Sequence, residues 1–384
     1  MSRFELSLSA SYIEHWGVVE AIRELFQNAL DQETENAANK MFFDYDSSEE
    51  ILRIGNKSSV LTVASLLLGE TTKRSNTNTI GQFGEGYKLA LLVLARLGKD
   101  LSICNYGVKE VWHPKLITSR RYGGKQILVV DVDKVRFWQN VPDNNLVFEV
   151  EGITRDEYIA ICDSNLHLRP ALETLETCYG EILCDDFYKG KIFVKGLFVN
   201  EVSNMEYGYN FPPSQVKLDR DRKMVADFDL KWKTSLMWKE CGDERLIALS
   251  RDGAPDVSFL ENVWSNNADK FKVVAATAYD EFKTTHGEKA YPVTTQEDIE
   301  RIVKRVGEDA VKPIIVTSAY KEAITTSVAF KDEDASLEEI EEEEIPTPTE
   351  RLQTFLDEYH GGMDDEVRAA FDELLGDSEN WSVN

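Results

Sequence analysis

The chain has no run of 18 apolar residues, which is the length a membrane-spanning helix needs. Its N-terminus lacks a charged segment followed by an apolar one, so a cytoplasmic protein is expected. Cysteine is sparse: Cys104, Cys162, Cys178, Cys184 and Cys241 are odd in number and contain no C-x-x-C pair. That argues against a zinc or disulfide framework and predicts reduced, mostly packing thiols. Positive charge is also short, with 43 Lys and Arg against 69 Asp and Glu for a net −26. The one basic cluster, Lys115, Arg120, Arg121 and Lys125, is modest, whereas a DNA clamp needs basic stripes to offset phosphate charge.

What is present is concentrated in two short segments. In Glu24-Leu25-Phe26-Gln27-Asn28-Ala29-Leu30-Asp31, the spacing i, i+4, i+7 puts Glu24, Asn28 and Asp31 on one helical face. Ile22, Leu25, Phe26 and Leu30 cover the rest. Burying two acids and an amide in a row is costly unless something pairs with them, and a magnesium–phosphate group would satisfy them. The second segment, Gly81-Gln82-Phe83-Gly84-Glu85-Gly86, precedes an apolar helical run from Tyr87 to Leu97. Glycines allow close backbone approach to a ligand, and a helix N-terminus attracts anions. A dinucleotide-binding reading expects a strand just before the glycines, but Thr71 to Thr79 is polar and loop-like.

Together and in this order the two segments resemble the GHKL ATPase superfamily of gyrase-type topoisomerases, the ninety-kilodalton heat-shock chaperone, sensor histidine kinases and MutL-type repair proteins. Glu24, Asn28 and Asp31 match its E-x-x-x-N-x-x-D box, and Ile80 to Ala95 resembles its second glycine box, most closely the chaperone's. The stretch from His15 to Gln32 also resembles ATP-binding proteins carried by phages and mobile elements. The resemblance implies ATP and Mg²⁺ as cofactors, with Glu24 the general base, Asn28 the protein ligand to Mg²⁺, and Asp31 orienting the adenine end or capping backbone amides. It implies that Gly81, Gln82, Phe83, Gly84, Glu85 and Gly86 hold the phosphates, under a lid running from Gly69 to Thr79. Lys73 in that lid is either a phosphate contact or a solvated lysine, and Lys88 is expected at the surface. A histidine kinase is disfavoured, since only 23 residues precede Glu24 and His15 beside Trp16 reads as helix-start packing.

One motif departs from the pattern. The family carries D-x-G-x-G after a strand, and its aspartate accepts from the adenine amino group. Here Ile51 to Ile54 leads into Gly55-Asn56-Lys57-Ser58-Ser59-Val60, so Asn56 replaces the aspartate while Ser58 and Val60 replace the glycines. Asn56 can accept from an amino group and also donate to a ring nitrogen. Loss of both glycines predicts a less tightly wound turn.

The resemblance implies an α/β (α+β) two-layer sandwich of the Bergerat ATP-binding type over residues 1–165, then a smaller α/β transducer-like domain over 166–330. Expected elements are a strand at Phe4–Ser9, a helix over Glu14–Asn36, a hairpin of Phe42–Tyr45 and Ile51–Ile54, and a helix over Leu61–Leu68. Strands Leu101–Asn105, Glu110–His113, Gln126–Val132 and Leu146–Val150 follow, closed by a helix over Asp156–Cys162. In the second domain, Lys191–Val194 and Leu197–Asn200 form a hairpin, and Ala290–Val293, Gln296–Val306 and a buried Pro313–Thr317 form a β-α-β unit. Neither a nucleophile elbow nor a zinc cluster nor a Walker loop occurs there. Lys217, Arg220 and Arg222 are candidates for the basic residue that such transducer domains extend to the γ-phosphate, or else belong to a solvated connection. From Asp332 to Asn384, 19 acids face only Arg351 and Arg368, a net −17 that leaves −9 for residues 1–331. Residues 331–348 are expected to be an acidic disordered linker, or a DNA-mimicking or autoinhibitory arm, and 349–384 a short helical tail that either docks a partner or packs back on the body. The functional expectation is an ATPase switch acting on a protein partner, with a nucleotide-dependent homodimer. The alternatives are a DNA-transaction clamp and a nucleotide-binding protein without turnover.

Overall fold

The computed structural model describes residues 2–66, 86–136, 145–216, 227–264, 268–337 and 347–378. Strand β1 (Ser2–Ser9) turns Leu6 and Leu8 inward, as alternation requires. Helix α1 (Val18–Glu35) begins at Val18, just after the extended Gly17, rather than at Glu14. The Glu20 carboxylate accepts from the Gly17 N–H at 2.8 Å, closing the first turn in place of a side-chain cap. His15 is exposed, contrary to the expected packing role; Trp16 is the buried residue, and the Arg23 guanidinium lies 5.6 Å from its ring centre.

The remaining elements of this part are β2 (Met41–Asp46), β3 (Ile51–Asn56), α2 (Gly86–Arg96), β4 (Asp100–Asn105), β5 (Glu110–Ser119), β6 (Lys125–Lys134), β7 (Leu146–Glu151) and α3 (Arg155–Asp163). Of the helix expected over Leu61–Leu68, the described residues form only a 3-10 turn, Val63–Leu66. β5 runs six residues past the expected end at His113, through Pro114. β4 pairs only with Glu110–Trp112, so Pro114 lies beyond that ladder, where its missing N–H breaks no pair with β4.

The seven strands form one sheet in the order β1-β6-β5-β4-β7-β3-β2, every neighbouring pair antiparallel. Leu52, Ile54, Leu101, Ile103, Leu128 and Val130 project from one face into a core shared with α1 and α2. The other face carries ion pairs, including Arg53–Glu149 at 2.6 Å and the buried Asp131 held by Arg3 at 2.7 Å and Lys115 at 2.7 Å. One apolar and one polar face make a two-layer α+β arrangement. Hydrogen bonds from Arg3 hold the Asp131 carboxyl far below the usual carboxylate range, and Lys115 adds to this. A depressed folded pKa stabilises above the unfolded value and is lost as pH falls, so melting temperature should drop progressively below about pH 4. Asp131→Asn should flatten that acid limb in a pH-resolved melting series; an unchanged limb would assign the acid sensitivity elsewhere.

The second part contains β8 (Thr174–Thr177), β9 (Gly180–Leu183), β10 (Lys191–Val194), β11 (Leu197–Glu201), β12 (Gly208–Phe211), α4 (Asp227–Cys241), α5 (Arg245–Asp252), α6 (Ala268–His286), β13 (Ala290–Val293), α7 (Gln296–Val306), β14 (Lys312–Ile315), α8 (Ser318–Thr325) and α9 (Val328–Ser336). Its five-stranded sheet runs β11-β10-β12-β9-β8, with only β10 and β12 parallel. The expected β10–β11 hairpin and the β13-α7-β14 unit are both present, the latter as a parallel pair. β14 is half-exposed rather than buried. In the core, Trp238 donates to the Tyr209 hydroxyl at 2.8 Å, and that hydroxyl donates to Asp256 at 2.5 Å. Burial pushes the Asp256 carboxyl up, although hydrogen bonds from Tyr209 and from the backbone, the Glu206 and Tyr207 N–H groups among them, counter it.

The acidic stretch does not start as a free linker. Asp332 to Ser336 continue α9, where Glu333 meets Lys283 at 2.5 Å and Tyr279 at 2.6 Å, and Asp334 meets Tyr291 at 2.8 Å and Arg305. Basic and phenolic partners on α6, α7 and β13 offset the charge density that composition alone reads as self-repelling. α10 (Pro348–Tyr359) and α11 (Asp365–Ser378) form the expected pair around Gly361-Gly362, with the Phe355 and Phe371 rings stacked 5.3 Å apart.

Candidate functional site

Helix α1 is the central element. Its Ala21, Ile22, Leu25 and Ala29 join the sheet core, while Glu24, Gln27 and Asp31 are also buried. Arg23 approaches Glu24 at 3.4 Å. Asn28 is half-buried and donates through Nδ2 to the Glu24 carbonyl at 2.7 Å. That back-bond fixes the amide and leaves Oδ1 as its acceptor end, the end a hard cation takes.

Asn56, at the end of β3, is brought against the same helix. Its Nδ2 donates to the carbonyls of Ala29 and Asn39, both at 2.8 Å. Two carbonyl acceptors fix the amide's orientation and occupy both of its N–H groups. The expected donation to a ring nitrogen is therefore closed to it, and acceptance at Oδ1 is what remains. Gly55 just before it permits close strand approach, since a Cβ there would sit 2.1 Å from the Leu146 carbonyl oxygen.

The turn after Asn56 departs from the looser winding expected. Ser58 adopts φ +49°, the left-handed conformation that glycine takes at little cost, without being glycine. Its side chain is exposed, so Ser58→Gly should raise stability by about 1 kcal/mol in denaturant unfolding. A loss instead would mean the hydroxyl makes the turn.

Asp31 faces the second part of the chain. Lys195, at the β10–β11 turn, places Nζ 3.6 Å from Asp31 Oδ1 and 2.9 Å from the Thr34 hydroxyl. A buried carboxylate needs a nearby opposite charge, and Lys195 supplies one where the sequence suggests an adenine contact or backbone caps. Gly86 is the first residue of α2. Lys88, expected at the surface, is wholly buried, its Nζ 5.6 Å from the Tyr87 ring centre. Tyr87 donates to the Ser65 carbonyl at 2.6 Å, and burial pushes its phenol up to about 12. At the far end of α2, Arg96 donates to the carbonyls of Ala10, Tyr12, Ile13 and Trp16, pinning the loop that leads into α1.

Lys73, Gly81, Gln82, Phe83, Gly84 and Glu85 lie outside the described residues, as do Lys217, Arg220 and Arg222. Among the described residues no group of three or more His, Cys, Asp or Glu is placed to hold a metal ion, and no helix is long and apolar enough to cross a membrane.

No protein-family model matches the chain, and no curated protein does. Among solved structures, it is similar to the ATPase region of Saccharomyces cerevisiae topoisomerase II bound to ICRF-187 (dexrazoxane), with 9% identity and a TM-score of 0.31. A second structure of that ATPase region gives 10% identity and a TM-score of 0.27. In both, 47% of this chain covers 62% of the other, less than two thirds of its length. At these TM-scores the likeness fixes neither fold nor function, and the functional reading rests on the residues themselves.

Sequence reasoning missed Lys195, His167, Arg96 and the burial of Lys88. Lys195 had a signal: Lys195-Gly196 is a two-residue hairpin loop, which calls for positive φ at both positions. A lysine there, rather than asparagine or glycine, marks a side chain with a task. Arg96 had none, because its partners, the carbonyls of Ala10, Tyr12, Ile13 and Trp16, come from a distant part of the sequence.

Proposed function

We propose that the chain is a GHKL-type ATPase that binds ATP with Mg²⁺, hydrolyses it, and acts as a nucleotide-gated switch on a protein partner, with nucleotide-dependent pairing of two copies. The observation that carries this reading is the α1 stripe: a buried Glu24 one turn before an Asn28 whose back-bond leaves its amide oxygen as the acceptor. Asn56 adds an amide oxygen beside α1 for an exocyclic amino group. A carboxylate, a carbonyl-type oxygen for a hard cation and an acceptor for an amine are the donor set that ATP with Mg²⁺ requires.

In this reading Glu24 orients and deprotonates the attacking water, and chemistry at neutral pH needs a carboxylate in that role. Asn28 contributes the single protein oxygen to Mg²⁺, whose charge offsets that of the phosphates. Gly81, Gln82, Phe83, Gly84, Glu85 and Gly86 would cradle the phosphates through backbone N–H groups, with Lys73 from the lid. Lys217, Arg220 and Arg222 would bring positive charge to the γ-phosphate; an arginine there would make a bidentate contact. A protein partner suits the charge better than DNA does, since residues 1–331 carry −9 and Lys115 of the modest basic cluster is already paired with Asp131.

The metal assignment is tested by Asn28→Ala. Affinity for ATP in the presence of Mg²⁺ should fall about tenfold or more, while affinity for Mg²⁺-free ATP stays within about threefold. Equal losses under both conditions would remove Asn28 from the metal site.

A further inference from the structure

The contacts between α1 and the β10–β11 hairpin form a clamp that the ATPase reading does not by itself require. Arg23 Nη1 donates to the Phe198 carbonyl at 3.2 Å, and Lys195 reaches Asp31 and Thr34. Between them, the His167 ring stacks on Phe26 with centres 5.7 Å apart, and its Nε2 lies 2.9 Å from the Lys195 carbonyl oxygen. These contacts run from residue 23 to residue 34, about three helical turns. They follow the helix that bears Glu24 and Asn28.

The hairpin end is itself rigid. Val194 pairs with Leu197 across a two-residue loop in which Lys195 has φ +49° and Gly196 has φ +77°. A Cβ on Gly196 would meet His167 Nε2 at 2.8 Å, so only glycine lets the ring sit under the loop. Leu166 N donates to the Gly196 carbonyl at 2.8 Å and Phe198 N to the Ser164 carbonyl at 3.0 Å, tying the loop to the segment after α3. Lys195 therefore holds an unfavourable backbone conformation that aims its ammonium at a buried carboxylate.

We infer that Lys195 is a positioning residue: through Asp31 and Thr34 it sets α1 and thereby makes the geometry of Glu24 and Asn28 answer to the second part of the chain. The inference rests on the proposed ATPase reading for its functional half. It predicts that Lys195→Met lowers kcat for phosphate release about tenfold while KM stays within about twofold, because binding groups remain and only their alignment is lost. Lys195→Arg should restore kcat to within about threefold of the wild type. In the double variant with Asp31→Asn the losses should be less than additive, as for residues that act through one contact. Unchanged kcat in Lys195→Met, no rescue by Lys195→Arg, or additive losses would overturn the inference.

Hydrogen exchange of the α1 amides in the full chain separates this from failure of the ATPase reading. If the wild type hydrolyses no nucleotide, the reading fails. The clamp then stands if Lys195→Met speeds exchange over residues 27–35 about tenfold or more, with global unfolding unchanged, and falls if those amides exchange at the wild-type rate.

Discussion

Glu24→Ala is expected to lower steady-state phosphate release by about 10²–10⁴-fold, the usual contribution of a positioned general base. Affinity for a non-hydrolysable ATP analogue should stay within about threefold, since a base acts in the transition state rather than in binding. Glu24 is wholly buried on α1 and lies one turn from Asn28. Alanine there would also leave a cavity, so Glu24→Gln is the companion variant. It keeps the volume and the hydrogen-bonding length but cannot take a proton. Turnover should fall in both variants, with melting temperature held better by glutamine than by alanine. If the glutamine variant turned over at the wild-type rate, Glu24 would be a packing residue and the base would have to be sought elsewhere.

Gly55→Ala should destabilise the chain by about 3 kcal/mol or more. The added Cβ would stand 2.1 Å from the Leu146 carbonyl oxygen, 2.7 Å from the Phe42 ring and 3.1 Å from the Val147 Cα. Phe42 can turn aside, but the two backbone atoms belong to β7, which is paired with β3 through six residues. Relief therefore requires opening the β3–β7 ladder or bending β3. Either movement drags Asn56, the next residue, away from the Ala29 and Asn39 carbonyls. Against a typical domain stability of about 5–15 kcal/mol the loss is large, and nucleotide affinity should fall with it. Denaturant unfolding reads the effect; a midpoint equal to the wild type would show that the strands separate here without cost.

Local patterns were readable where one element decides its own form. The strand β1 announces itself by alternation, β2 and β3 by two short β-rich runs that form a hairpin, and α1 by its apolar face and the spacing of Glu24, Asn28 and Asp31. The hairpin at Lys195-Gly196 follows from a two-residue loop between β-rich runs. The misreadings have a common cause, in that the deciding partner is remote in sequence. β5 continues through Pro114 because β4 stops pairing two residues earlier. α1 starts late because Glu20 closes on Gly17, while Arg96, some eighty residues away, holds the carbonyls before it. Asp332 to Ser336 are ordered by Lys283, Tyr279, Tyr291 and Arg305, none of which is near in sequence. Asp31 shares the helical face of Glu24 and Asn28, as its spacing requires, yet it meets Lys195, 164 positions away.

The most direct test of the central claim is a calorimetric titration of the full chain with a non-hydrolysable ATP analogue and Mg²⁺, repeated with GTP. Saturable 1:1 binding of the ATP analogue, stronger with Mg²⁺ than without it, is the predicted result. Absence of heat and of thermal stabilisation with every common nucleotide would contradict the account.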